Sequence, residues 1–275
     1  MRAALLLAIP FATLAISQNT SDPNACWRSQ YPHGTKFNSA GSAPLTFSPS
    51  TNDKEPWYLS VGFNDSRPAG GTTEPWISAF VSVPDSFVGS KEGNETKICV
   101  YRFAGTNATS DLSCKHGLSD KCAQSLRSTV PPPGQSCPSF LFPKDCTGSG
   151  FMFTSNPLNF TSTNCSTSSG LGGVDLPRSY RTYPTGRGWF GRRDAPGSYD
   201  VYDLAVQNPI PILITRSSGD SHSSNIALMC LAPSNVTEGS RVPDKNSFPP
   251  SAASGLNVGT GTVGMIGIKY PGDMP

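Results

Sequence analysis

The chain has 275 residues, 36% of them hydrophobic and 15% charged, with 21 basic against 19 acidic side chains. A net charge this near zero gives no general attraction to nucleic acid or to an anionic membrane surface, and nucleic acid is not expected as a partner. The 27 glycines and 26 prolines weigh against long helices.

Arg2, the apolar run over 3–16 and the small residues Ala15 and Ser17 read as a signal peptide over 1–17, cleaved before Gln18. The run is shorter than the ~20 residues of a membrane span. Without Arg2 the chain keeps 20 basic and 19 acidic residues. A disulfide-stabilised β-rich extracellular domain over 18–231 is expected, with a division into two domains at the proline run 131–133 as the alternative, and a Pro/Ser/Gly-rich linker and tail over 232–275.

In chain order, 18–56 is polar and interrupted only by pieces such as Leu45 and Phe47. Strict alternation over 57–63 puts Trp57, Leu59, Val61 and Phe63 on one face of a strand, and 64–68 reads as a turn. A second strand over 76–83 carries Ile77, Ala79, Val81 and Val83 on one face and ends at Pro84. The run 97–103 is a third, with Cys99, Tyr101 and Phe103 facing the core. A short helix is expected over 119–126, capped by Ser119, with Cys122 and Leu126 on one side. Pro131, Pro132, Pro133 and Gly134 demand an extended connector. Residues 147–198 read as loop apart from a short strand at 151–153. Strands are expected over 199–206, 212–215 and 226–231. The fold class that follows is all-β: an antiparallel β-sandwich or jelly-roll-like domain, disulfide-stapled, with one short helix.

Eight cysteines, Cys26, Cys99, Cys114, Cys122, Cys137, Cys146, Cys165 and Cys230, are an even number and allow up to four disulfides among 105 pairings. There is no Cys-x-x-Cys, and the closest pair, Cys114 and Cys122, is too widely spaced for a zinc knuckle. No metal or cofactor is expected. Asn19, Asn64, Asn94, Asn107, Asn159, Asn164 and Asn235 begin N-glycosylation sequons, each of which marks exposed backbone when used. After Cys230 the composition turns to Pro, Ser, Asn and Gly. The run 255–268 resembles the opening of a membrane or lipid anchor that stops short of a span. Two alternatives stand: a secreted chain, or a shortened form of an anchored one.

The segments 94–101 and 107–109, with 118–122 and Leu126, resemble ectodomains of uncharacterised filamentous-fungal cell-surface glycoproteins. There a cysteine-bearing domain precedes a Ser/Pro-rich linker and one span. The resemblance implies an extracellular, wall-associated or plasma-membrane protein and carries no catalytic residues.

Catalytic motifs are sparse. The histidines are His33, His116 and His222 alone. A secreted copper monooxygenase needs a first-residue histidine where Gln18 stands, and neither His-Glu-x-x-His nor Gly-x-Ser-x-Gly occurs. Gly219, Asp220, Ser221 and His222 read as a hairpin turn rather than a hydrolase nucleophile block. Asp200 and Asp203, three apart on an expected strand, fall on opposite faces, and a glycosidase pair would have to be long-range, such as Glu74 with Asp203. The most suggestive stretch is a loop over 178–193 holding Arg178, Tyr180, Arg181, Tyr183, Arg187, Trp189, Arg192 and Arg193. Arginine forks pair with carboxylates or sulfates, and aromatic faces stack on sugars, so the stretch has two readings: a site for a cell-wall glycan or an extracellular protein, or a structural loop whose aromatics pack onto the sandwich while the arginines stay solvated. The reading is a non-enzymatic extracellular glycoprotein for wall association, sensing or adhesion. The alternatives are a secreted carbohydrate-active hydrolase and a host-directed, effector-like protein.

Overall fold

The computed structural model describes residues 37–48, 54–67, 74–103, 114, 118–139, 143–146, 151–153, 157–161, 174, 176–189, 194–218 and 225–244. The expected signal peptide, Cys26, Cys165 and 245–275 lie outside them, as do Asn19, Asn107, Asn164, Arg192, Arg193 and all three histidines.

Ten strands and three helices are described: β1 (Ser39–Pro44), β2 (Tyr58–Ser66), β3 (Glu74–Pro84), α1 (Lys91–Glu95), β4 (Thr96–Phe103), α2 (Asp120–Thr129), β5 (Phe151–Phe153), β6 (Leu158–Asn159), β7 (Tyr180–Trp189), α3 (Asp200–Gln207), β8 (Ile210–Ser218), β9 (Asn225–Leu231) and β10 (Asn235–Val236). They form two antiparallel sheets, a front sheet in the order β10-β1-β2-β3-β7 and a back sheet in the order β5-β4-β8-β9, with β6 also on β4. This is the expected all-β sandwich.

Alternation builds the inner core. Leu59, Val61 and Phe63 of β2 and Ile77, Ala79, Val81 and Val83 of β3 meet Ile98, Val100, Ile210, Ile212, Ile214, Ala227, Met229 and Leu231 of the back sheet. The other residues of the back sheet enter a second core. Cys99, Tyr101 and Phe103 of β4, Leu213 of β8, and Leu228 and Cys230 of β9 pack there against Cys122 and Leu126 of α2. The back sheet is therefore buried on both faces, and its outer face is stapled by Cys99–Cys137, Cys114–Cys230 and Cys122–Cys146. Three such bridges point to an oxidising environment. The connector 131–134 lies along this layer, its Pro133 carbonyl accepting from Ser217 Oγ at 3.3 Å.

On one side the sheets are hooked together. Ser48, just past β1, exchanges two backbone hydrogen bonds with Ile226 of β9, at 2.8 and 3.0 Å. The chain leaving β9 passes over Gly41, where a Cβ would collide with the Ala232 carbonyl, and pairs as β10 with Ser39 and Ala40. That close approach explains why β1 is built of small residues (SAGSAP).

Several expected elements are corrected. Residues 199–206 form a helix rather than a strand: Tyr202, Ala205 and Val206 are buried at helical spacing. Over eight residues both periods fit. The helix prevails because Asp194 caps it from outside, its Oδ1 accepting from Val201 N–H at 2.7 Å. Asp200 and Asp203 are therefore not on opposite faces of a strand. Residues 64–66 of the expected turn instead continue β2, with Ser66 opposite Glu74. The loop expected over 178–193 is largely strand β7. Finally, the packed chain runs past 231, through β10 to Asp244.

No helix among the described residues is long and apolar enough to cross a membrane.

Candidate functional site

Strand β7 contains most of the arginine- and aromatic-rich stretch. It pairs with β3 alone among the described strands, at the edge of the front sheet. An edge tolerates Pro184, and the register slips between Ala79 and Phe80, bulging the strand at Thr185. Thr185 Oγ1 donates to the Ala79 carbonyl at 2.9 Å.

Strand geometry splits the candidate residues. Tyr183 is fully buried, edge-on to Phe160 at 5.2 Å. Tyr180 is buried against Tyr58 at 5.4 Å, and its hydroxyl donates to the Pro56 carbonyl at 2.8 Å. Both tyrosines pack into the domain and are withdrawn from a partner. Arg178 is exposed in the turn before β7, and Arg181 is half-exposed, 3.3 Å from Asp85. The backbone register sets Arg187 opposite Ser78 and Trp189 opposite Trp76. The eight residues thus do not form one flexible loop.

The densest set of interacting charges lies elsewhere, and the sequence reading missed it. Arg67, at the end of β2, donates from Nε to Asp65 Oδ2 at 2.6 Å. Its other nitrogens reach Asp194 Oδ2 and the Ser198 carbonyl, and the guanidinium lies 3.9 Å from the centre of the Tyr199 ring. Asp194 also accepts from Ser198 Oγ at 3.3 Å and from Tyr202 N–H at 3.3 Å, so its charge faces the positive end of α3. Asp203, on α3, is held by both arms of Arg241, at 3.2 and 2.9 Å. Arg241 lies 4.5 Å from the centre of the Tyr199 ring, and its carbonyl accepts from Tyr202 Oη at 2.6 Å. This clasp joins the end of β2, the 194–199 loop, α3 and the 237–244 segment. The one local sequence signal is Asp65 and Arg67, two apart and so on one face of a strand.

Burial chiefly, with Asp194 adding to it, raises the Asp65 pKa above the ordinary carboxylate value, against the opposing pull of Arg67. Burial likewise pushes Tyr202 up to about 12, with Asp203 adding to it. The long-range pair of Glu74 with Asp203 gains no support, because Asp203 is 1% exposed and gripped by Arg241. Among the described residues no group of three or more His, Cys, Asp or Glu is placed to hold a metal ion.

Of the described sequons, Asn94 on α1 and Asn235 on β10 are exposed, while Asn64 on β2 and Asn159 on β6 are half-buried.

No protein-family model matches the chain, and no significant match was found among the curated proteins or the solved structures.

Proposed function

We propose that this chain is an N-glycosylated extracellular or cell-surface domain that acts by binding a cell-wall glycan or an extracellular protein rather than by turnover. The observation that carries this reading is the outer core of the back sheet. It contains three cystines, which persist where thiols are oxidised. Asn94 and Asn235 stand in water, as glycan acceptors must. The resemblance to fungal surface glycoproteins agrees with both. Binding is favoured over catalysis because Asp194 and Asp203, the most convergent carboxylates, are committed to capping α3 and to Arg241. The contact surface is assigned to the β7 edge, with Arg178 and Arg181 outward and Trp189 beside Trp76 in register.

The test is co-sedimentation of the secreted protein with insoluble wall polysaccharide, compared with an Arg178→Ala/Arg181→Ala variant. Retention lost in the variant supports the glycan reading. Equal retention of both proteins removes β7 as the surface.

A second reading, a carbohydrate-active hydrolase, has one observation behind it. Asp65 holds its proton more tightly than an ordinary carboxyl and lies beside Asp194, the pairing used by an acid catalyst. Release of reducing ends that Asp65→Asn abolishes would establish that reading in place of the first.

A further inference from the structure

Three buried carboxylates meet at the clasp, and they are not equally served. The side chains of Asp65, Asp194 and Asp203 are 4%, 2% and 1% exposed. Asp203 has both arms of Arg241. Asp194 has Arg67, the Ser198 hydroxyl and two backbone N–H groups of α3. Asp65 has one arm of Arg67 on Oδ2, and its Oδ1 has no hydrogen-bond partner among the described residues. Arg67, moreover, divides its charge between Asp65 and Asp194.

The groups around Asp65 come from several elements. Its own strand gives Arg67. The 194–199 loop gives Asp194, whose charge acts on it directly, and Tyr199, against the Arg67 guanidinium. Helix α3 gives Tyr202, on which Asp65 acts together with Asp203 and with Arg241 of the 237–244 segment. On the sheet itself, the chain entering β1 supplies the uncharged Asn38, whose Oδ1 accepts from Asp65 N–H at 2.6 Å, and β3 sets Pro75 opposite. A buried carboxylate with one oxygen unserved and a second carboxylate at hand is the member of such a set that gains most from losing its charge.

We propose that Asp65 takes up a proton as the surroundings turn acid, so that the clasp is tighter in mildly acidic solution than at neutral pH. Because the folded chain holds this proton more tightly than the unfolded chain, folding is favoured below the folded-state titration of Asp65. That advantage is lost as pH rises through it. A stabilising Asp65–Arg67 ion pair would give the opposite sign.

The experiment is urea unfolding of the secreted, disulfide-intact protein from about pH 4.5 to about pH 7.5, wild type against Asp65→Asn, read by tryptophan fluorescence. The ratio of folding constants, variant over wild type, is expected to rise with pH, by at most about tenfold per pH unit. A ratio that is flat or falls with pH overturns the proposal. If the variant does not fold, a carboxyl-carbon NMR titration of the wild type reads Asp65 directly. A midpoint above that of the unfolded chain supports the proposal, and one at or below it overturns it.

Discussion

The guanidinium of Arg216 lies 4.3 Å from the centre of the Trp57 ring. Phe47 and Phe87 close on it at 5.6 and 5.7 Å, and Nη2 reaches Glu92 Oε1 at 3.1 Å. The arginine is on β8 and only 3% exposed, while its aromatic partners come from around the front sheet. The contact therefore bolts the two sheets together at one end of the inner core.

Arg216→Ala empties this aromatic cage and is expected to cost about 3 kcal/mol in urea unfolding. Arg216→Met keeps most of the volume, removes a buried charge, and should cost about 1 kcal/mol or less. Equal losses for the two variants would show that the charge, rather than the packing, holds the sheets.

Asp194 caps α3 and neutralises Arg67 together. Asp194→Ala should cost about 3 kcal/mol, the sum of a lost cap and a half-buried arginine left with Asp65 as its one carboxylate partner among the described residues. Hydrogen exchange should then rise across α3 and the 237–244 segment together, because Arg241 and Tyr202 fasten that segment to the helix.

Two glycines separate a backbone neighbour from a side-chain one. A Cβ at Gly41 meets the backbone carbonyl of Ala232, whereas one at Gly62 meets the ring of Phe37. Gly41→Ala should therefore lower the unfolding midpoint more than Gly62→Ala, by about 2 kcal/mol against about 1. The reverse order would mean that the passage of the chain over β1 is adjustable.

Non-reducing peptide mapping should recover Cys99–Cys137, Cys114–Cys230 and Cys122–Cys146. The closed sequences span 38, 116 and 24 residues. By chain entropy, removing Cys114–Cys230 should cost the most, up to about 5 kcal/mol, against about 3 for Cys122–Cys146.

Most of the sandwich was legible in the sequence because its central strands obey a period of two: Leu59, Val61 and Phe63 point inward, as do Ile77, Ala79 and Val81. Ser119 and the spacing from Cys122 to Leu126 announced α2 for the same local reason. The elements that were misread depend on distant partners. The α3 segment satisfies both periods until Asp194 caps it. Strand β7 is full of turn formers, which only an edge position tolerates. Strand β10 and the segment after it have no apolar period, and are held by Arg241 reaching Asp203. Beyond the local pair Asp65 and Arg67, the clasp was hidden because its charges are scattered from Asp65 to Arg241 and meet only after folding. The arginine- and aromatic-rich stretch was found by composition, which could not show that Tyr180 and Tyr183 point into the domain.

The most direct test of the account is the intact mass of the native protein, taken with and without enzymatic deglycosylation and after alkylation without reduction. An oxidised extracellular glycoprotein predicts a mass drop on deglycosylation, with Asn94 and Asn235 among the released sites, and no alkylated thiol. An unshifted mass with several alkylated cysteines would contradict it, placing the chain in a reducing compartment without glycans.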